Sequence, residues 1–320
     1  MQKQLRLILI FLLLTVTGFA QQRYVGPLAP TGFHPDMNRY EQETAMYMAY
    51  LSDLSYEDGW SVKDVFDLVD RTYPSAKLAC RFLQDRKSGT QAIVWGMHEG
   101  VIVAIRGTQP KQLLDWLTDL KISNYVNTDQ MDERLKALPA GHAGFRKAAM
   151  RLVEECQLLD AISEVAAVTH PGVLHAQVPV YLTGHSMGAG ISQLLIPVIA
   201  GHFRFAGAYH FAPPLAVAID QSQGLKERFG NKVYDIVNYK DYVTRAGRNE
   251  TSHYGKFYRI CKEGELDKEN EVFARFKGLE YLTEFSLHSL ESYIKLLRQP
   301  KNTTGLVQQR MVNGQVCKID

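Results

Sequence analysis

The stretch Leu182-Thr183-Gly184-His185-Ser186-Met187-Gly188 decides how the rest of the chain is read. Its last five residues fit G-x-S-x-G, a pattern that exposes a serine on a sharp turn between a strand and a helix. The β-branched, apolar run 178–183 predicts a buried strand before the turn, and the mostly apolar run 190–200 predicts a helix after it. Sterics explain the glycines. A tight elbow brings backbone segments together, and a side chain at 184 or 188 would crowd them.

Outward from that point the pattern alternates. Ala45, Met46, Met48, Ala49 and Leu51 predict an amphipathic helix over 41–54, and the apolar runs 92–97 and 101–105 predict a hairpin around His98-Glu99-Gly100. Helical spacing continues through 145–165. Strands are expected at 205–211, 232–237 and 257–261, with helices at 222–229 and 289–297. This alternation predicts an α/β fold with a mostly parallel central sheet and helices on both faces. No linker, repeat or low-complexity stretch interrupts 40–297, so one domain is expected there, preceded by a Pro- and Gly-containing arm at 21–39 and followed by a tail at 298–320.

The first twenty residues differ in kind. Lys3 and Arg6 precede the apolar run 7–14, and Gly18-Phe19-Ala20 supplies small residues before a cleavage point, the three parts of a secretory signal peptide. A spanning helix needs roughly 20 apolar residues, and Thr15, Thr17 and Gly18 dilute this stretch. A secreted or periplasmic protein with no transmembrane helix after signal removal is expected. In that compartment Cys80, Cys156, Cys261 and Cys317 could form one or two disulfides, with Cys317 the first candidate, and buried free thiols are the alternative reading; their wide spacing argues against a zinc site. The 320 residues are 46% hydrophobic and 22% charged with a formal net charge of +2, which describes a globular chain and gives no footprint for nucleic acid. The oligomeric state is not encoded in these features.

A serine needs a base within hydrogen-bond reach and an acid to orient that base. In sheets of this kind the chain order is Ser, then Asp or Glu, then His. Asp241 follows directly on strand 232–237 and is the expected acid; Asp235 lies inside that strand, and Asp220 precedes a helix as a possible cap. His202 and His210 come before the acid. Of the two histidines after it, His253 precedes strand 257–261, whereas His288 follows it at the sheet edge where Ser186 stands, so His288 is the expected base. His185 is expected to point away from the serine as a packing residue. The oxyanion of an ester's tetrahedral intermediate needs two donors: the backbone N–H of Met187, and a second after strand 101–105, where Arg106-Gly107-Thr108 offers Thr108.

The ordered set VIVAIRGTQPKQLLDWLTDL, HAGF, LTGHSMGAG, FAPP and NYKDYV resembles the lipase class 3 family, the fungal-type lipases of the α/β-hydrolase fold, over roughly 40–297. The resemblance implies hydrolysis of carboxylic esters, acylglycerols above all, with no cofactor; no metal-ligand spacing is found in the sequence, and a calcium requirement is left open. It carries the nucleophile onto Ser186, the acid onto Asp241, the histidine onto His288 and an oxyanion donor onto Thr108. Tyr242 and Ala246 depart from the family, which often has proline there. The resemblance also implies a lid over 109–120, where Leu113, Trp116, Leu117 and Leu120 share one helical face that could open at a lipid–water interface. A fixed surface helix fits that pattern equally. The same triad would serve a phospholipase, a thioesterase or a polysaccharide-ester esterase, and a non-catalytic binding protein could keep the fold.

Overall fold

Residues 101–105 read Val-Ile-Val-Ala-Ile, apolar at every position, and every one is buried because each side of the strand faces a separate core. Val101, Val103 and Ile105 belong to one cluster, Ile102 and Ala104 to the other. The preceding strand divides the same way, with Ala92 and Val94 on one side and Ile93, Trp95 and Met97 on the other. Such runs are the mark of a sheet covered on both faces.

The computed structural model describes residues 33, 35–57, 59–72, 79–107, 132–238, 241–245, 251–260, 285–298 and 308–309. In chain order these form α1 (Gln42–Leu54), α2 (Gly59–Thr72), β1 (Ala79–Asp85), β2 (Thr90–Met97), β3 (Gly100–Ile105), α3 (Ala143–Glu154), α4 (Leu158–Thr169), β4 (Pro179–His185), α5 (Met187–His202), β5 (Arg204–Phe211), β6 (Val217–Ala218), α6 (Ile219–Phe229), β7 (Val233–Asn238), β8 (Thr251–Ser252), β9 (Lys256–Ile260), α7 (Phe285–His288), α8 (Leu290–Leu297) and β10 (Gln308–Gln309). The main sheet runs β1-β2-β3-β4-β5-β7-β9-β10. Its five middle strands, β3 to β9, are parallel, and antiparallel pairs flank them. Residues of α3, α4 and α5 pack one face; residues of α1, α2 and α8 pack the other. The mostly parallel sheet with helices on both faces is therefore as the alternation predicts.

Three details differ from expectation. The helical spacing over 145–165 is two helices, because Gln157 turns the chain at φ 53° between α3 and α4. Strand β1 and helix α2 are additional elements, and the tail contributes the two-residue edge strand β10. Cys80 and Cys156 are free thiols, so neither forms an expected disulfide, and burial pushes the Cys80 thiol up to about 12. The segment 1–20 read above as a signal peptide, Cys261, Cys317, Thr108 and the segment 109–120 lie outside the described residues. Among the described residues no helix is long and apolar enough to cross a membrane.

Candidate active site

Strand β4 ends at His185 and α5 begins at Met187, which leaves Ser186 alone to turn the chain. It does so at φ 56° and ψ −128°, a conformation the β-carbon disfavours. Neighbouring backbone holds it there. The Ser186 N–H donates to the Phe211 carbonyl at 2.9 Å, and the Ser186 carbonyl accepts from the N–H groups of Ala189 (3.0 Å) and Gly190 (3.2 Å). A β-carbon at Gly184 would lie 2.6 Å from the carbonyl carbon of Gly188, and one at Gly188 would lie 2.2 Å from the Ile105 oxygen. Both glycines are thus required by the closeness of helix and strands.

The elbow presents Ser186 Oγ 2.8 Å from His288 Nε2, and His288 Nδ1 stands 2.8 Å from Asp241 Oδ2. An ionised carboxylate only accepts, so Nδ1 carries the hydrogen and Nε2 offers its lone pair to the serine hydroxyl. Asp241 follows the end of β7 in a turn closed by its N–H to the Asn238 carbonyl (2.9 Å), and its Oδ1 accepts the Val243 N–H at 3.0 Å. Proline is not needed there: Tyr242–Arg245 forms a single 3-10 turn. His288 ends the short helix α7, one residue before Ser289 caps α8 by accepting the Ser292 N–H. Ser186, Asp241 and His288 are all buried.

Further groups complete the arrangement. Tyr293 Oη donates to Asp241 Oδ2 at 2.6 Å and accepts the Asn238 N–H at 2.9 Å. Burial and the Asp241 charge push its hydroxyl well above the ordinary tyrosine range, which keeps it a donor. Asn238 Nδ2 donates to the Leu287 carbonyl at 3.0 Å. His185 is more than the packing residue expected: Nε2 meets the His288 carbonyl and Nδ1 the Tyr56 hydroxyl. None of these partners is near its target in sequence, although Asn238 lies within the N-x-x-D segment and Tyr293 within the expected helix.

Met187 opens α5 directly after Ser186, so its N–H lies in the first turn of the helix beside the serine. Met187 meets the positional requirement for one oxyanion donor.

A second Ser-His-Asp chain lies deeper. His210 Nε2 is 2.8 Å from Ser192 Oγ and His210 Nδ1 is 2.9 Å from Asp235 Oδ1, all three fully buried. Ser192 is inside α5 rather than at a strand-to-helix turn. The hydrogen-bond pattern recurs, and the elbow does not. His253 is engaged elsewhere, with Nδ1 3.3 Å from Gln193 Nε2 and Nε2 3.2 Å from the Thr244 carbonyl. Among the described residues no group of three or more His, Cys, Asp and Glu could hold a metal ion.

The strained serine, the parallel sheet behind it and the order of Ser, Asp and His are the features by which relatives of this chain can be recognised. Residues 102–250 match the lipase (class 3) family. The resemblance read from the ordered motifs holds over that span. Mouse (Mus musculus) diacylglycerol lipase-beta is 31% identical to this chain over 147 residues, which is 46% of this chain and 20% of that protein. The chain thus spans about a fifth of the length of this curated relative. Among solved structures, a triacylglycerol lipase whose catalytic centre is formed by a serine protease triad superposes with a TM-score of 0.53 at 18% identity, covering 69% of this chain and 82% of that one. Lipase II from Rhizopus niveus gives a TM-score of 0.51 at 18% identity, covering 68% and 80%. The chain therefore shares its fold, an α/β-hydrolase-like one, with these lipases.

Proposed function

We propose that the protein is a secreted serine hydrolase that cleaves carboxylic esters, with acylglycerols as its substrate class, through an acyl-enzyme on Ser186. The observation that carries this reading is the hydrogen-bonded chain Ser186–His288–Asp241 joined to a strained elbow at the N-terminus of α5. In the first step His288 Nε2 takes the Ser186 proton as Oγ attacks the ester carbonyl, and Asp241 holds the ring and stabilises the imidazolium. The Met187 N–H, with Thr108 as second donor, receives the oxyanion. Collapse of the tetrahedral intermediate expels the alcohol, protonated by His288. Water then attacks the acyl-enzyme with His288 again as base, releasing the carboxylic acid and restoring Ser186. The acylglycerol substrate is supported by the match to the lipase family and to mouse diacylglycerol lipase-beta. Export is supported by the charged, apolar and small-residue order of residues 1–20.

The test is Ser186→Ala. Turnover of p-nitrophenyl esters should fall by a factor on the order of 10⁶, the loss known when such a nucleophile is removed. The folded state should be retained, since alanine still fits the buried position. Ester turnover at the wild-type rate in this variant would overturn the reading. Comparing short soluble esters with emulsified long-chain glycerides then decides between an esterase and a lipase.

A further inference from the structure

His185 is the last residue of β4, directly before the elbow serine, and both of its ring nitrogens are engaged. Nε2 lies 2.6 Å from the main-chain oxygen of His288, and Nδ1 lies 2.8 Å from the Tyr56 hydroxyl. A carbonyl oxygen only accepts, so Nε2 carries the hydrogen; the neutral ring then has a lone pair at Nδ1, and the Tyr56 O–H donates to it. The Tyr56 oxygen lies against the main chain of Gly107. The direction of both bonds is fixed: Tyr56 O–H to His185, His185 N–H to the His288 carbonyl. Burial and the His288 imidazole hold the His185 pKa well below the ordinary histidine value, which keeps the ring neutral as this direction requires.

The relay links three places that are far apart in sequence, the residue two beyond α1, the last residue of β4 and the last residue of α7, and its Tyr56 end packs on the turn after β3. It leaves no slack at Gly107, where a β-carbon would come within 2.3 Å of the Tyr56 oxygen and 2.4 Å of the His185 carbonyl oxygen. At the other end it acts together with Asn238. The Leu287 carbonyl is held by Asn238 Nδ2 and the His288 carbonyl by His185, so two consecutive carbonyls pin the main chain of His288. The rings of His185 and His288 lie 4.8 Å apart at 38°, which leaves the His288 ring little room on that side.

We propose that Tyr56 and His185 are positioning residues, fixing the main chain of His288 so that its Nε2 meets the Ser186 hydroxyl and joining that position to the turn at Gly107. This rests on the reading of Ser186 and His288 as nucleophile and base. A misplacement of about 1 Å at a reacting group costs about 10²-fold in rate, and that sets the expected scale.

The experiment compares the full chain with Ser186→Ala, Tyr56→Phe, His185→Phe and His185→Gln. It measures kcat and KM on a soluble p-nitrophenyl ester, and both the rate constant and the final stoichiometry of Ser186 labelling by a fluorophosphonate. Tyr56→Phe and His185→Phe should lower kcat and the labelling rate constant about 10- to 100-fold, with KM nearly unchanged and labelling still reaching the wild-type stoichiometry. His185→Gln keeps one donor and one acceptor, as a neutral imidazole does, and should recover most of the lost rate. A purely structural role moves a different quantity, the labelled fraction, because fewer molecules are folded while each folded one reacts normally. The proposal is overturned if Tyr56→Phe labels at the wild-type rate constant, if its loss is confined to the labelled fraction, or if His185→Gln reacts as slowly as Tyr56→Phe. Should His185→Phe fail to fold, the other two variants decide the matter. Wild-type turnover in Ser186→Ala would instead remove the hydrolase reading itself, whereas an inactive Ser186→Ala beside unaffected relay variants removes the relay alone.

Discussion

Ser186 is held at φ 56° and ψ −128°, a backbone state that costs on the order of 1–3 kcal/mol for a residue with a β-carbon. What holds it is backbone from β5 and α5, so the hydroxyl's direction is set before any substrate arrives. Asp241 receives comparable support: its two oxygens accept from the Val243 N–H, from His288 Nδ1 and from Tyr293 Oη. The tyrosine bond goes to a charged acceptor, a kind worth about 1.5–3 kcal/mol when made. Tyr293→Phe keeps the ring volume and deletes that donor, so kcat should fall about 10-fold, the rate equivalent of about 1.4 kcal/mol, with KM little changed. Steady-state kinetics on a soluble ester check this, and an unaltered kcat would show that Asp241 is oriented without the tyrosine. The sequence reveals these groups unequally. Ser186 is legible because the glycines its turn demands are adjacent to it, and Asp241 and His288 follow from chain order at strand ends. Tyr293, Tyr56 and the engagement of His185 are not legible, because each meets its partner across 52, 129 and 103 residues respectively.

Among elements, β4, the elbow and α5 form the unit on which the site depends. Pairing of β4 with β3 and β5 on either side fixes the strand, and Gly188 lets the first turn of α5 rest directly on the Ile105 carbonyl. Gly188→Ala would place a β-carbon 2.2 Å from that oxygen, which is main chain in a central strand and cannot swing aside. Destabilisation of about 3 kcal/mol is expected, the upper end for overpacking, with the helix forced away from the strand and ester turnover lost alongside. Urea unfolding together with activity measures both, and a stable, active variant would mean the elbow tolerates more space than the backbone shows. Elements with two buried sides, such as β3 and β4, announce themselves as unbroken apolar runs. Edge strand β1 carries Arg81, Gln84 and Asp85 among its seven residues, so its pairing with β2 leaves no such run. The break at Gln157 is equally silent, since nothing in a glutamine demands a positive φ; the packing of α3 and α4 as separate helices requires it.

For the molecule as a whole, two hydrophobic cores lie on opposite sides of one sheet, and a number of buried polar groups lie among them. His185 is one of these groups, and its burial couples global stability to pH. The ring must stay neutral in the folded state, because a second ring proton would face the Tyr56 O–H and add a charge beside His288. The His185 pKa is accordingly held well below the ordinary value when folded, whereas in the unfolded chain it is near 6.5, the usual histidine value. Below about pH 6.5 the unfolded state therefore binds a proton that the folded state refuses, so the stability of folding falls as pH falls. The slope from one such group is about 1.4 kcal/mol per pH unit, and the loss continues until the folded-state pKa is reached. Above about pH 7 His185 contributes no slope, because both states leave the ring neutral. Urea midpoints at pH 8, 7, 6 and 5 should fall most steeply between 6.5 and 5 in the wild type. In His185→Gln, which has nothing to titrate at that position, the fall over the same interval should be shallower by up to one proton's worth. Equal slopes in the two proteins would mean that His185 takes up its proton without leaving the fold, and that the relay can reverse its hydrogen bonds.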